Sequence, residues 1–581
     1  MRDPVREAKE QFRDVINGAL DAAVEEGLLP GAERPDYNIE IPADAKNGDL
    51  ATNAAMVCAR ALHLPPRKIA EAVAAKAQLS GTCFERMEIA GPGFINVFYA
   101  KDWYAGTVAA VLSEGEKYGE SDWGGGRKIM IEFVSANPTG PMHMGNARGG
   151  AIGDGLAAAF EKCGWNVTRE FYINDAGNQI EKFGVSLEAR YLQIYKGEDA
   201  VEFPEEGYHG EDIKVRAREF ADLHGDSYVD AEPEKRRRAL IDYALPKNIE
   251  GLQRDLGKYR INYDVWFRES SLYKDGTVDK VVGILRDKGL TYEKDGALWY
   301  RNAEVVGAAL AAEGKTPEQI EALELKDDVL IRANGNPTYF AGDIAYHYNK
   351  FAIRGFDRVI NVWGADHHGH VARLKGAMDA VGCGGDRLDI VLMQLVELMR
   401  NGKPERMSKR TGRAITLTDL LEEVPIDAAR FFFNMREPNT HLVFDLGLAV
   451  EQSAQNPVYY VQYAHARICS ILRNLAAEGI EPKKLAPEGL RLYDTDEEKA
   501  LIALLAKYPG EITETAKSYD TARLTRYATD MATAFHRFYT ACRCKGEEEH
   551  LMQARLSLCL AAKTVIANVL TLLKVDVPES M

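Results

Sequence analysis

No C-x-x-C pair occurs among the eight cysteines, Cys58, Cys83, Cys163, Cys383, Cys469, Cys542, Cys544 and Cys559. Thiols scattered in this way offer neither a disulfide framework nor a thiolate zinc site, and they fit a reducing, cytoplasmic compartment. Uninterrupted apolar runs are missing too. The N-terminus MRDPVREAKEQFRDV is charged every few residues, and the most apolar long segment, 551–574, carries Arg555 and Lys563. Neither reads as a secretion signal or a membrane span, so no membrane partner is expected. Basic residues do not outnumber acidic ones: 72 Lys and Arg face 88 Asp and Glu, a net charge of −16. Any polyanion must therefore be held by local patches and not by a field of the whole protein. Internal repeats and low-complexity tracts are also absent.

The chain that remains is 581 residues long, 46% hydrophobic and 28% charged, the balance of a protein folded throughout and long enough for several domains. Residues 5–29 read as an amphipathic helix with Phe12, Val15, Ile16, Leu20, Ala23 and Val24 on one face, and 49–78 as alanine-rich helices. The extended stretch YNIEIPADAKNG lies between them. MEIAGPGFINVFYA (87–100) reads as a hairpin about Gly-Pro-Gly, which makes the front end a small α+β domain closed by SDWGGGRK. From Lys128 the texture is α/β. IMIEFVS predicts a strand, followed by a loop and a helix of small residues starting near His143; NVTREFYIN (166–174) and DRVINVWGADH (357–367) predict further strands. The charged, helical stretch 190–300 between them reads as an insertion ending in a hairpin at Asp295-Gly296. Beyond about 420 strand signals vanish and helical periodicity runs to the end.

Two stretches carry chemistry. In EFVSANPTGPMHMGNARGG a strand delivers polar residues into a loop and sets His143 at a helix start. Backbone N–H groups and the helix dipole there suit phosphate, and Gly145 permits close approach. In MRNGKPERMSKRTGRAITLTDLL six basic residues, Arg400, Lys403, Arg406, Lys409, Arg410 and Arg413, sit in a glycine-containing loop. Lys409 can stabilise the β- and γ-phosphates of a departing pyrophosphate as a point charge. Taken singly, the first is a helix cap and the second a solvated turn; their pairing in one α/β region points to a nucleotide site.

In this order the two stretches resemble the paired signatures His-x-Gly-His and Lys-Met-Ser-Lys-Ser of the class I aminoacyl-tRNA synthetases. Here they read His143-Met144-Gly145-Asn146 and Arg406-Met407-Ser408-Lys409-Arg410. Asn146 thus stands for the second histidine and Arg406 for the first lysine. Asn146 still hydrogen-bonds phosphate but carries no charge, while Arg406 keeps the charge in another shape. SANPTGP, YINDAGNQ, YDVWFRESSLY, TYFAGDIAYH, WGADHHGH, DAARFFF and NPVYYVQYAHAR, with GDLATNAAM and AGPGFIN near the front, resemble the arginyl-tRNA synthetases over essentially the whole chain.

That resemblance implies a Rossmann-type α/β catalytic core at 119–425 (insertion about 190–300). Before it comes an N-terminal α+β domain, 1–118, for the tRNA elbow, and after it a C-terminal all-α helical anticodon-binding domain, 426–581. It implies an arginine–tRNA ligase that uses ATP with Mg²⁺ as substrate, makes arginyl-adenylate and esterifies tRNA(Arg), with no structural metal and as a monomer. His143, Asn146 and Lys409 would be catalytic. Gly145, Asp366, His370, Met407 and Ser408 would join them around ATP. Glu132, Ser135, Asn137, Tyr339, Asp343 and His367 would hold arginine, and Tyr459, Tyr463 and Arg467 tRNA. A carboxylate beside a phenol, Asp343 near Tyr339, is a physically sensible guanidinium receptor; the alternative is that Asp343 caps the helix DIAYHYNKF. Zinc at His367, His368 and His370 is disfavoured, because their spacing does not put three ligands on one face of a strand. The three tyrosines 459, 460 and 463, interleaved with His465, Arg467 and Arg473, suit base stacking and phosphate pairing, or else a helix–helix core. Another class I synthetase, or an inactive RNA-binding homologue, stays open as a second reading.

Overall fold

In the computed structural model, which describes residues 2–400, 402–405 and 415–581, a wholly parallel five-stranded sheet lies at the centre. Its strands are β1 (Lys128–Glu132), β2 (Asn166–Ile173), β3 (Val265–Arg268), β4 (Arg358–Gly364) and β5 (Leu388–Met393), in spatial order β5-β4-β1-β2-β3. The chain leaves β1 for one side of the sheet and later returns to the other. Between β1 and β4 the winding reverses, and in such a sheet that reversal opens a crevice at the carboxyl ends of the strands. Ile129, Met130 and Ile131 are fully buried, as expected of a central parallel strand covered on both faces.

Helix α1 (Gly145–Lys162) makes the crossover from β1 to β2 and is buried from Ala147 to Phe160. Its small residues have a steric reason. A Cβ on Gly153 would lie 2.2 Å from Cγ of Phe133, the residue that follows β1. The helix backbone rests directly on the strand end, which sets the start of α1 against the end of β1.

Two sequence-based expectations need correction. The stretch 190–300 is not wholly an insertion: helices Glu211–His224 and Pro233–Lys258 stand outside the sheet, but Val265–Arg268 pairs with β2 as its edge strand. Likewise strand signals do not end at 420, because Leu442–Asp445 pairs in parallel with Val396–Arg400. Both strands are four residues long, and so short a run takes its conformation from its partner rather than from local periodicity. Leu50–Thr52, read as helical, is a strand of the N-terminal sheet for the same reason.

At the front, helix Pro4–Glu25 buries Ala8, Phe12, Ile16, Leu20 and Ala23 against an antiparallel sheet that contains the hairpin Phe84–Ala90 and Phe94–Tyr99. The hairpin at 295–296 forms as read, with Asp295 and Gly296 both at positive φ, and Asp328–Ile331 adds a third strand to it. The C-terminal helices Pro457–Ala477, Asp496–Ser518, Ala522–Ala541 and Glu549–Leu572 pack together. Glu549–Leu572 is long and apolar enough to cross a membrane, but its Leu556, Leu558, Val565 and Ile566 are buried in this core. Arg555 within it pairs with buried Glu498 at 2.7 Å. Arg430, fully buried, ties the parts together by donating to Asp154 Oδ2 (2.5 Å), Leu573 O (2.8 Å) and Tyr259 O (3.0 Å).

Replacing Gly153 by alanine forces Phe133 to move, because Cβ of that ring residue is also only 2.5 Å from the added methyl. Overpacking of this kind costs about 1–3 kcal/mol. A lower melting temperature and a weaker site are both expected, read by calorimetry and a substrate titration of the same preparation; an unchanged melt would show that the strand end yields freely.

Candidate active site

The crevice has a phosphate side and an acidic side. On the first, the chain leaves β1 through Val134 and Ser135, both at positive φ (70° and 42°), a conformation that costs energy in a β-branched residue. The turn carries Ser135 Oγ back to Glu132 Oε1 (3.0 Å), while the same oxygen accepts from Tyr172 N–H (3.1 Å). The loop then reaches His143. Met144 N–H donates to Ile415 O (3.0 Å), and Leu417 N–H to Met142 O (2.9 Å), so the start of α1 is stitched to the segment that follows the second signature. Thr416 lies opposite His143 in this bridge and caps helix Leu417–Glu423 through a capping box with Asp419.

His143 Nδ1 accepts from Gly145 N–H (3.0 Å), which leaves Nε2–H as the outward donor. Partial burial lowers its pKa below the ordinary imidazole value, so the ring is neutral at neutral pH. Arg148 pins the first turn of α1 from beneath, donating to Gln394 O (2.7 Å) and Glu437 O (2.9 Å). The first N–H groups of α1 are engaged locally, Gly145 N–H on His143 Nδ1, Asn146 N–H on His143 O (3.0 Å) and Ala147 N–H on Met144 O (2.9 Å), which leaves the His143 ring N–H and the Asn146 side-chain amide as the donors at this helix start.

On the second side, α2 (Tyr339–Tyr348) is capped by Thr338, whose hydroxyl accepts from Ala341 N–H. Asp343 therefore lies inside the helix and is no cap. Its Oδ2 meets His370 Nε2 at 2.9 Å, and His370 Nδ1 accepts from Arg373 (2.9 Å), which fixes His370 as a neutral donor to Asp343. Tyr339 stands half exposed at the start of α2, with its ring over Gly177 of the YINDAGNQ segment.

Glu269, at the end of β3, was not among the residues singled out by sequence, although YDVWFRESSLY contains it. It is buried and accepts from Tyr273 OH (3.0 Å), and the Asn174 amide, turned so that its nitrogen faces Glu269 as the surrounding acceptors require, donates to Oε2 at 2.9 Å. Burial raises its pKa to about 7, and the negative charge of Asp343 adds to the rise. Other buried carboxylates nearby have cations: Glu132 has Lys350 (2.6 Å), Glu170 has Arg354, and Asp328 has Arg373 (2.6 Å). Asp343 and Glu269 have neutral hydrogen-bond donors. The crevice thus keeps uncompensated negative charge at this end.

Not every expected residue joins this constellation. Glu132 is held in a buried ion pair at the strand end, and Asn137 is exposed in the loop beyond it. Asp366 and His367 lie in the turn Ala365–His367 with side chains 82% and 58% exposed, and His370 turns away from them to Asp343. Among the described residues no group of His, Cys, Asp or Glu is arranged to hold a metal ion. Met407, Ser408 and Lys409 lie outside the described residues. In the C-terminal helices, Tyr459 and Tyr463 stack at 6.5 Å, and Arg467 lies over the rings of Tyr463 and Tyr539. His465, read with them, is instead buried, with Nδ1 against Pro578 O (2.9 Å).

A doubly wound parallel sheet, with a His-x-Gly helix start at its reversal point and the segment that follows the second signature stitched to that start, defines a class I aminoacyl-tRNA synthetase. Family models agree along the chain: "Arginyl tRNA synthetase N terminal domain" matches residues 9–99, "tRNA synthetases class I (R), catalytic domain" 107–469, and "DALR anticodon binding domain" 461–581. The arginine–tRNA ligases of Caldanaerobacter subterraneus subsp. tengcongensis and Acetivibrio thermocellus are 56% and 52% identical over 581 residues, covering the whole of both chains in each case. The solved arginyl-tRNA synthetase of Thermus thermophilus shares the fold with a TM-score of 0.71, at 20% identity, covering 98% of this chain and 100% of that one. The chain belongs to the arginyl-tRNA synthetase family.

The tautomer of His143 is open to direct measurement. Ring nitrogen shifts at pH 7.5 should report a neutral imidazole protonated at Nε2; a doubly protonated ring at that pH would mean that Gly145 N–H does not hold Nδ1.

Proposed function

We propose that the crevice between β1 and β4 performs the arginine–tRNA ligase reaction with the guanidinium of arginine seated between Asp343 and Glu269. The observation that carries this assignment is the pair of carboxylates with neutral partners only, in a site where neighbouring acids are matched by cations. A guanidinium brings five donors and a permanent charge, and the Tyr339 and Tyr273 rings border the same space. Glu132, with Ser135 holding one oxygen, takes the α-ammonium at the strand end, and Asn137 and His367 close around the amino acid from their loops.

With arginine so placed, its carboxylate attacks the α-phosphate of ATP at the start of α1. A carboxyl–phosphate anhydride forms and pyrophosphate leaves. His143 Nε2–H and the Asn146 side-chain amide stabilise the phosphate oxygens, Gly145 lets them approach, and Lys409 with Met407 and Ser408 follows the pyrophosphate. Mg²⁺ enters with ATP as part of the substrate. Asp366 holds ribose, and His370 orients Asp343 instead of contacting the nucleotide. The 2′-hydroxyl of the terminal adenosine of tRNA(Arg) then takes the arginyl group and AMP departs. No covalent enzyme intermediate is needed; the site works by positioning and electrostatics.

Residues 1–118 would meet the tRNA elbow and 426–581 the anticodon, where half-buried Tyr459 with exposed Tyr463 and Arg467 offers stacking and charge. We assign the enzyme to the cytoplasm as a monomer; eight free thiols, seven of them buried, support a reducing compartment.

Charging of an unfractionated tRNA pool with each labelled amino acid in turn tests the reading: arginine alone should be esterified. Within that assay, Asp343→Asn removes a charged acceptor that costs about 1.5–3 kcal/mol to lose, so arginine KM should rise roughly 10- to 100-fold while ATP KM barely changes. An unchanged arginine KM would move the guanidinium elsewhere.

The raised pKa of Glu269 gives a second test. A guanidinium favours the carboxylate, so at pH 6.5 arginine binding should release a proton, and affinity should weaken as pH falls through about 7. Calorimetry in buffers of different ionisation enthalpy reads that proton. Its persistence in Glu269→Gln would assign it to another group.

A further inference from the structure

Lys350 is fully buried directly beneath the crevice. It leaves the end of α2 in a short π-helical turn, Asn349–Ile353, a local widening often found where a helix serves a site. Its ammonium donates to Glu132 Oε2 (2.6 Å) and Asn361 Oδ1 (3.1 Å), lies 3.5 Å from His347 Nε2, and sits 3.9 Å over the Tyr346 ring. His347 accepts from the Asn361 amide at Nε2 (2.7 Å) and donates from Nδ1 to Asp343 O (2.8 Å). One buried network therefore joins the end of β1, the middle of β4 and the turn of α2 that bears Asp343. A buried ammonium is costly, and replacing such a pair by apolar side chains is often neutral or stabilising, so fold stability alone is a weak reason for it.

We propose that Lys350 is a positioning residue for arginine binding: it fixes the direction and the ionised state of the Glu132 carboxylate so that Glu132 can take the substrate's α-ammonium. This rests on the assignment of Glu132 to that ammonium made above. Ser135 holds Oε1 and Lys350 holds Oε2, and each oxygen keeps a further acceptor site for an incoming donor. Without Lys350, a carboxyl with 8% of its side chain exposed loses its only cation partner among the described residues and binds a proton instead. A protonated acid no longer draws an ammonium. The other charged or titratable groups packed around this network are already engaged: Arg354 pairs with Glu170, whose second partner is Tyr346 OH, Tyr263 OH donates to Phe133 O, and burial keeps the Tyr172 phenol and the His347 ring neutral. None of them is free to replace Lys350.

The test compares full-length Lys350→Met, Glu132→Gln and the double variant, measuring arginine KM and ATP KM from pH 6.5 to 9 together with melting temperature. Glu132→Gln should raise arginine KM at least tenfold and leave ATP KM within twofold. Lys350→Met should show the same split at pH 7 and recover arginine affinity as the pH rises and Glu132 ionises, which a merely structural defect would not do. The double variant should match Glu132→Gln alone, because a residue that acts only through Glu132 then has nothing left to position. If Glu132→Gln leaves arginine KM unchanged, the assignment of Glu132 fails and this inference with it. If Glu132→Gln raises it but Lys350→Met does not, or raises both KM values alike at every pH, Lys350 is a structural charge and the inference is overturned. A double variant worse than Glu132→Gln in arginine KM overturns it as well, even where Lys350→Met alone does not fold.

Discussion

Two backbone hydrogen bonds, Met144 N–H to Ile415 O and Leu417 N–H to Met142 O, carry the phosphate side of the site. They join the first helix of the sheet to a segment far along the chain, and they do so through main-chain groups that no substitution other than proline removes. Everything His143 does depends on this staple. Its Nδ1 meets Gly145 N–H because the loop is held on one flank by Ile415–Leu417 and the helix is held from below by Arg148. A site fastened in this way can tolerate asparagine at position 146, since the helix start that presents His143 is fixed independently of that side chain.

The acidic side is ordered by a different principle, charge matching. Asp154 with Arg430, Glu170 with Arg354 and Asp328 with Arg373 are ion pairs that knit sheet, helices and C-terminal domain. Asp343 and Glu269 stand apart because a neutral imidazole, a phenol and an amide are their partners. Preorganised acceptors of this kind need no reorganisation when a cation arrives. An overall charge of −16 is compatible with a polyanionic substrate where basic and aromatic side chains cluster locally, as Tyr463 and Arg467 do.

Much of this was legible in the sequence. The strands at 128–132, 166–173 and 358–364, the hairpins at 91–93 and 295–296 and the family motifs were written in local alternation, turn residues and spacing. What stayed hidden was decided by partners distant in sequence. Val265–Arg268 and Leu442–Asp445 are too short to announce themselves and are strands because β2 and Val396–Arg400 supply the ladder. Asp343 looked equally like a cap until Thr338 was seen to start the helix. His465 reads as a surface ligand in a run of tyrosines, yet helical phase turns it inward onto Pro578. Glu269 and Lys350 sit inside segments that sequence reading had marked, but no local pattern says that one is a carboxyl without a cation and the other the counter-ion of Glu132.

Helix Asp496–Ser518 touches the first helix of the chain, Pro4–Glu25, the segment Lys101–Glu114, the catalytic helix α1 and two neighbours in the C-terminal bundle. Tyr118 OH donates to Leu505 O, and Leu501, Ile502, Leu505, Ala506 and Ile512 are wholly buried along it. Its faces are thus owned by three parts of the protein. Evolution cannot adjust this helix for one of them alone: a change that suits anticodon-side packing must also be accepted by the front module and by α1. The N-terminal module is for that reason no detachable accessory, and its removal would strip the covering from a helix that the catalytic core also leans on.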